Sequence, residues 1–355
     1  MNGIKSALNS RQVKDKAKEL GADLVGIIDT ETINAQVPAP TAPQTTDRID
    51  PRYVTCIILA KRMPVGEFLS DNRMAVAHTN QAICRYLERV AYRLSFWLEE
   101  QGVPSLQVVM DETDPALKKG SYGYLSYRHI AVEAGLGTFG LEANLLTPEF
   151  GPRVYLTGVL TTAVLESDRR ITEQLCIGPA CGRCLQACPT DAIHQWTLDK
   201  RLCALMAQVH GVSSILKGPV KSLLADPSAV HTVLDDPQQH EKFDAITRVT
   251  EAFGVCPRCL ETCPVGMDYQ QYLAKEHRHI PEETEQKTER LKLMKEAEKR
   301  GEVVVDNPPI NRRHVGPEGY VRLRRGDSDE IRRLPLYDPV AAGANAGPDG
   351  PGSSR

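Results

Sequence analysis

Hydrophobic and polar positions follow two different periods over the first 165 residues of the chain. Apolar residues three or four positions apart predict helices, one through Val13, Ala17 and Leu20 and another from Ile83 to Leu98. Short apolar runs between them predict buried strands, namely DLVGIID, YVTCIILA, LQVVMD and VYLTGVLTT. We therefore expect residues 1–165 to form a domain of the α+β class with an α/β-like core.

The remainder of the chain divides into two further segments. Residues 166–275 hold most of the cysteines and are expected to form a second domain. In residues 276–355 the stretch from Pro281 to Gly301 predicts a helix with few apolar positions, which favours a solvated or partner-covering role. The end of the chain, rich in glycine and proline, predicts a flexible tail.

Composition narrows the class of protein without identifying it. The 355 residues are 41% hydrophobic and 25% charged, with a formal net charge of −3, as in globular proteins. Such a balanced charge gives no reason to expect DNA as a partner. The start lacks the layout of a secretion signal and no apolar run is long enough to cross a bilayer, so we expect a cytoplasmic protein with no membrane partner.

Cysteine spacing is the strongest chemical signal in the sequence. Eight of the ten cysteines lie in or near two motifs. The first, CIGPACGRCLQACP, begins at Cys176 and reads C-x4-C-x2-C-x3-C-P, whereas the second, CPRCLETCP, begins at Cys256 and lacks a first cysteine. Cys203 can complete the count. The other two, Cys56 and Cys84, lie on apolar patterns and are expected to pack as small hydrophobic residues.

Paired motifs that each end in Cys-Pro are typical of two [4Fe–4S] clusters, in which the last cysteine of one motif binds the cluster of the other. Crossing over in this way gives two sets of four ligands. The first thiolate set is Cys176, Cys181, Cys184 and Cys263; the second thiolate set is Cys188, Cys203, Cys256 and Cys259. Structural zinc also accepts four cysteines, but it requires neither the Cys-Pro endings nor the interleaving.

The stretch from Tyr122 to Thr162, YGYLSYRHIAVEAGLGTFGLEANLLTPEFGPRVYLTGVLTT, resembles the cobalamin-binding core of reductive dehalogenases and epoxyqueuosine reductases. The resemblance implies a nitroreductase-like cobalamin-binding domain, followed by a ferredoxin-like domain whose two clusters reduce the cobalt. The positions that it assigns to cobalamin are Gly135, Gly137, Asn144, Thr147 and Gly151. The glycines, together with Gly140, could let backbone approach a macrocycle; a tight turn that needs φ > 0 explains them equally well.

The same resemblance suggests a proton donor. Reductive dehalogenases use a tyrosine assisted by a cation, and this chain offers Tyr124 first, then Tyr122 and Tyr127. Arg153 is the favoured cation and Arg128 the second candidate. Epoxyqueuosine reductases use an aspartate instead, for which the nearest match, in the stretch DETDP at residues 111–115, lies far upstream.

We therefore expect a reductase closer to the dehalogenases, cleaving a carbon–halogen or related carbon–heteroatom bond of a small-molecule substrate. Reduced ferredoxin or flavodoxin would supply the electrons, because no nucleotide-binding fingerprint is present. One alternative is an epoxyqueuosine reductase, for which tRNA would be the partner. Another is a non-catalytic electron-transfer or corrinoid-reducing subunit.

Overall fold

The computed structural model describes residues 8–35, 44–110, 114, 123–208, 215–236, 239, 256–267, 269–302 and 312–314. The strands in these ranges are β1 (Leu24–Asp29), β2 (Thr55–Arg62), β3 (Ser105–Val108), β4 (Thr138–Phe139), β5 (Leu145–Leu146), β6 (Val154–Thr161), β7 (Ile193–His194), β8 (Thr197–Asp199) and β9 (Arg312–His314). The four strands predicted from apolar runs are β1, β2, β3 and β6, and all four predictions are confirmed.

The α-helices of the first half are α1 (Ser10–Leu20), α2 (Thr30–Ala35), α3 (Val65–Phe68), α4 (Arg73–Glu100) and α5 (Tyr127–Glu133). Those that follow are α6 (Arg183–Gln186), α7 (Lys200–Ala207), α8 (Lys221–Ala225), α9 (Val230–Leu234), α10 (Arg258–Glu261), α11 (Tyr269–Glu276) and α12 (Glu285–Lys299). The two helices predicted in the first half are α1 and α4. In the described part of the chain, no helix combines the length and apolar character needed to cross a bilayer.

An antiparallel sheet with strand order β1-β2-β6-β3 organises the N-terminal half. The central strand β2 is buried on both faces, as its unbroken apolar run requires. Cys56, Ile58 and Ala60 contribute to a core on one face, whereas Ile57 and Leu59 contribute to a core on the other. This alternation is the period of two that a strand imposes on its side chains.

Different helices cover the two faces of the sheet. The long helix α4 packs with α1 over one face and buries Leu87, Leu94 and Leu98 completely. Burying each such leucine is worth about 1.5–3 kcal/mol. The short helix α5 lies on the other face and leads towards the cysteine-bearing region.

Helix α12 covers the first cysteine motif, which contradicts the expectation of a solvated helix. Leu291 and Met294 are buried in the same core as Cys184 and Cys188. Lys287 is buried as well, and its ammonium group donates hydrogen bonds to the backbone carbonyls of Gln186 (3.0 Å) and Cys188 (2.8 Å). Strand β9 also pairs with β8 of the cysteine-bearing region. In its described parts, the segment after residue 276 is therefore joined to that region rather than set apart from it.

Candidate metal centre

The first cysteine motif is built from tight turns. The long gap between its first two cysteines holds a 3₁₀ turn, Gly178–Ala180, in which Gly178 has φ +61°. Gly182 (φ +64°) then precedes α6, and a Cβ at that position would collide with the side chain of Leu291 on α12. Because of these turns, a short segment of backbone supplies several cysteines to one region, as a polynuclear cluster requires.

The second motif is carried by the single turn of α10. Arg258 at its start forms an ion pair with Glu282 in which two nitrogens lie 2.7 and 2.8 Å from the carboxylate oxygens. Cys263, after the helix, is 7% exposed and comes just before a tight turn at Gly266 (φ +117°).

The thiols of both motifs lie close together inside the protein. Five of the eight predicted ligands belong to one apolar core together with Leu141 of the N-terminal half: Cys176, Cys184, Cys188, Cys203 and Cys259. None of the ten cysteines forms a disulfide. Across the described residues, no three His, Cys, Asp or Glu side chains converge tightly enough to hold a single metal ion.

Electrostatic interactions connect the thiols of the two motifs. Burial raises the pKa of Cys184 well above its usual value, and nearby negative charge on Glu142, Cys263, Cys176 and Cys259 raises it further. Burial likewise raises the pKa of Cys259, followed by charge on Glu142, Cys203, Cys256 and Cys188. Most of the thiols named here fall within the thiolate set of their partner, but Cys184 and Cys259 interact across the two sets. The donor set therefore fits two clusters, although this grouping stays a prediction until iron is measured.

Arg153 reaches the second motif instead of the tyrosines with which it was predicted to act. Its side chain is fully buried, and its guanidinium group donates hydrogen bonds to the carbonyls of Leu260, Cys263 (3.1 Å) and Val265. Gly151 packs against the same guanidinium group. The cation thus ties the loop that follows α10 to the edge of the sheet. Sequence spacing could not reveal this contact, because more than 100 residues separate its partners.

The two tyrosines that the structure describes differ in availability. The hydroxyl group of Tyr127 donates to the backbone carbonyls of Val108 and Val109, both at 2.9 Å, inside the core. Tyr124 is half-buried at the edge of the same core. Tyr122 lies outside the described residues. Of the two described tyrosines, Tyr124 therefore keeps the better position for a proton donor.

A buried ion pair close to Tyr124 was missed in the sequence. Asp114, of the stretch DETDP, is 2% exposed and pairs with Arg48. Arg48 also donates a hydrogen bond to the carbonyl oxygen of Tyr124 (3.2 Å). The fold therefore brings the upstream aspartate towards the tyrosine segment, a proximity that the distance along the chain concealed.

The glycines predicted to approach a macrocycle are explained by contacts within the chain. Gly135 has φ +72°, and a Cβ there would meet the carbonyl of Arg169. At Gly137 a Cβ would meet the carbonyl of Leu146. The predicted role of these glycines as a bare surface for cobalamin is thus not supported by their surroundings.

The other three positions assigned to cobalamin are engaged as well. The side-chain oxygen of Asn144 accepts a hydrogen bond from Arg128 (3.2 Å). The Thr147 hydroxyl group accepts from the amide of Phe150 (3.0 Å) and closes a turn with Gly151. The side chains and glycine faces at the five positions are thus engaged in contacts within the chain, and their role in binding cobalamin stays a prediction.

Comparisons with known proteins identify relatives of one kind. No family model matches the chain. An epoxyqueuosine reductase of Synechococcus sp. (strain RCC307) is 30% identical over 162 residues, which cover 45% of this chain and 47% of that protein. One from Gloeobacter violaceus is 27% identical over 219 residues, covering 56% of this chain and 65% of the relative. The match thus spans about half the length of the first of these relatives.

Solved structures include both kinds of enzyme that the sequence resembles. An epoxyqueuosine reductase bound to an epoxyqueuosine-modified tRNA stem loop has a TM-score of 0.44 at 19% identity, covering 77% of this chain and 67% of that chain. A reductive dehalogenase has a TM-score of 0.49 at 16% identity, covering 83% of this chain and 38% of that chain. In sequence, the chain is therefore similar to epoxyqueuosine reductases over about half of its length.

Proposed function

We propose that this protein is an iron–sulfur- and cobalamin-dependent reductase of the epoxyqueuosine reductase type, acting on a modified nucleoside in tRNA. The observation that carries the proposal is the convergence of thiols from both cysteine motifs in one apolar core, together with Leu141 of the N-terminal half. Two [4Fe–4S] clusters move single electrons and need a partner site where a bond is reduced. Arg153 joins the two halves of the chain at that point.

Two observations favour epoxyqueuosine reduction over the dehalogenation expected from the sequence. The curated relatives described above carry the name epoxyqueuosine reductase. In addition, Asp114, whose distance along the chain counted against an epoxyqueuosine reductase, lies near Tyr124 in the fold, because Arg48 contacts both residues. Asp114 therefore offers a carboxyl group, and Tyr124 a phenol group, as candidate proton donors.

The chemistry defines what the chain must provide. Reductive removal of an epoxide oxygen takes two electrons and two protons and releases water. The clusters would pass the electrons one at a time from a reduced ferredoxin or flavodoxin. Cobalamin, when bound, supplies a strongly reducing cobalt centre. Asp114 or Tyr124 would deliver a proton, and Arg48 would hold the carboxylate of Asp114 in place.

The test is an anaerobic reconstitution with iron, sulfide and cobalamin, followed by incubation with reduced flavodoxin and epoxyqueuosine-containing tRNA and by mass spectrometry of the released nucleosides. We expect retained cobalamin and conversion of epoxyqueuosine to queuosine. The variant Asp114→Asn should keep both cofactors and lose turnover. The variant Arg52→Gln, at an exposed arginine paired with Asp50, serves as the matched control and should keep full activity.

Two results would overturn the proposal, and a third would reassign its proton donor. Eight irons without retained cobalamin would indicate an electron-transfer subunit. Retained cobalamin with dehalogenation of a halogenated aromatic compound, and no change in the tRNA, would restore the dehalogenase reading. Full activity of the Asp114→Asn variant would exclude the carboxylate and leave Tyr124 as the donor.

A further inference from the structure

Lys287 is a buried lysine in the first turn of α12. Its backbone amide donates a hydrogen bond to the side chain of the N-cap residue Thr284 (3.2 Å). A positive charge is unfavourable at this end of a helix, because the first amides of the helix already carry a partial positive charge. The position of Lys287 is therefore explained by the contacts of its side chain and not by the formation of the helix.

The side chain of Lys287 binds the end of the first cysteine motif. Its ammonium group donates hydrogen bonds to the carbonyls of Cys188 (2.8 Å) and Gln186 (3.0 Å). A carboxylate oxygen of Asp191 lies 3.6 Å from the same nitrogen. Asp191 has φ +53°, which is uncommon for a residue other than glycine, and its amide donates to the carbonyl of Cys188 (3.5 Å). Lys287 thus contacts both ends of the turn that follows Cys188.

This turn places hydrogen-bond donors beside the sulfur of Cys188. The amide of Ala192 donates to Sγ of Cys188 (3.3 Å), and the hydroxyl oxygen of Thr190 lies 3.8 Å from the same atom. Hydrogen bonds to the sulfurs are among the factors that set the reduction potential of an iron–sulfur cluster. Lys287 therefore holds the turn that carries these donors, and it also brings a positive charge to the carbonyl of the same cysteine.

The second motif has a cation in the corresponding place. The buried side chain of Arg153 donates hydrogen bonds to the carbonyls of Cys263 (3.1 Å) and Val265. Cys188 and Cys263 are the last cysteines of their motifs, and each precedes a proline. A buried cation from outside the motif thus binds the carbonyl of each of these cysteines: Lys287 from α12 in the first motif and Arg153 from the N-terminal half in the second.

We propose that Lys287 is a positioning residue that raises the reduction potential of the cluster to which Cys188 binds. This inference rests on the proposed function, because it presupposes the two clusters. One-electron reduction by a reduced ferredoxin or flavodoxin adds one negative charge to a cluster and moves no proton. A nearby positive charge and hydrogen bonds to the thiolate both stabilise the reduced form, and so raise the potential.

The experiment is a potentiometric titration of the reconstituted protein, with both clusters followed by electron paramagnetic resonance. In Lys287→Met we expect a tenfold change in the reduction equilibrium of one cluster, which lowers its potential by about 59 mV for a one-electron couple. The potential of the other cluster should stay near the wild-type value. The variant Lys287→Arg keeps the positive charge and should restore most of the lost potential.

The matched control is Lys292→Met, which removes a lysine from the same helix. Lys292 is exposed and pairs with Glu289 at the surface, so this variant should leave both potentials unchanged. A shift in Lys292→Met as large as that in Lys287→Met would show that the net charge of α12 matters and not the contacts of Lys287, and would overturn the inference.

The remaining outcomes separate this inference from the proposed function. If the wild-type protein fails to bind about eight irons, the proposed function fails. If it binds them and Lys287→Met leaves both potentials unchanged or lowers both equally, the inference alone is wrong. The same holds if Lys287→Arg lowers the potential as far as Lys287→Met. Should Lys287→Met lose iron, Lys287→Gln is titrated in its place, and iron loss in both variants would make Lys287 a requirement for cluster assembly and would also overturn the inference.

Discussion

Replacing Arg153 with methionine tests whether the second cysteine motif is held in place by the N-terminal half of the chain. Methionine keeps much of the length and apolar volume of arginine but removes every donor. The carbonyls of Leu260, Cys263 and Val265 would then lose the guanidinium group that they share. Because Arg153 is fully buried, water cannot replace these hydrogen bonds without opening the structure.

The size of the effect follows from the number of acceptors left behind. A buried acceptor without a donor costs about 1–3 kcal/mol. The three carbonyls share one side chain, so their losses do not simply add, and we expect a total of about 3–5 kcal/mol. At about 1.4 kcal/mol for each tenfold change, local opening should become roughly two to three and a half orders of magnitude more frequent.

Hydrogen exchange followed by mass spectrometry measures this opening directly. Amides of residues 258–265 should exchange faster in Arg153→Met, while amides of the central strand β2 should change much less. The control is Arg52→Met, which removes an exposed ion pair with Asp50 and should leave the exchange of residues 258–265 unchanged. Equal exchange of residues 258–265 in both variants would refute the tethering role of Arg153.

Three further changes test other parts of the structure. Tyr127→Phe should lower the free energy of unfolding, measured with urea, by about 1–3 kcal/mol and leave turnover intact. Tyr124→Phe should slow turnover if the phenol group of Tyr124 is the proton donor. Burial raises the pKa of Glu67 from an ordinary 4.5 to about 8. The free energy of unfolding should therefore fall by about 1.4 kcal/mol per pH unit as the pH rises between these two values. The variant Glu67→Gln should lose this pH dependence, and parallel pH profiles of the two proteins would contradict the prediction. Met294→Ala should cost about 2–5 kcal/mol and lower the urea midpoint for loss of cluster absorbance, while Leu293→Ala, at an exposed position, should not.

The sheet and its covering helices could be predicted because their signals are local. Ile57 and Ile58 lie in an apolar run too short for a long helix, and Leu87, Leu94 and Leu98 repeat at helical spacing. Both patterns arise because the apolar side chains are buried against neighbouring elements. The spacing of these side chains along the sequence then indicates whether the element is a strand or a helix. The antiparallel order of the strands depends on pairings between distant segments and could not be obtained in this way.

Helix α12 shows why amphipathic pattern alone can mislead. Leu291 and Met294 are apolar residues in a segment whose other residues are mostly charged or polar. The sequence therefore indicated an exposed helix. Its buried face is completed by Lys287, whose ammonium group binds two carbonyls of the first motif. In the sequence, a lysine that donates hydrogen bonds to buried carbonyls cannot be distinguished from a lysine that faces solvent.

The candidate site was predictable in part for the same reason. Cysteine spacing is local and pointed to two ligand sets, and the structure brings thiols of both sets into one apolar core. The positions of Arg153, Glu142 and Asp114 depend on contacts between remote segments, so no local pattern marks them. The resemblance to a known superfamily suggested a role for Arg153 but not the carbonyls that it contacts.

Iron and acid-labile sulfide, measured in protein reconstituted without oxygen, test the central claim most directly. Two [4Fe–4S] clusters require about eight irons and eight sulfides per chain. Replacing Cys188 by serine should remove the cluster whose other ligands are Cys203, Cys256 and Cys259, and replacing Cys263 should remove the cluster whose other ligands lie in the first motif. Zinc without sulfide, or iron loss confined to the motif that carries the replaced cysteine, would contradict the crossed assignment on which the account rests.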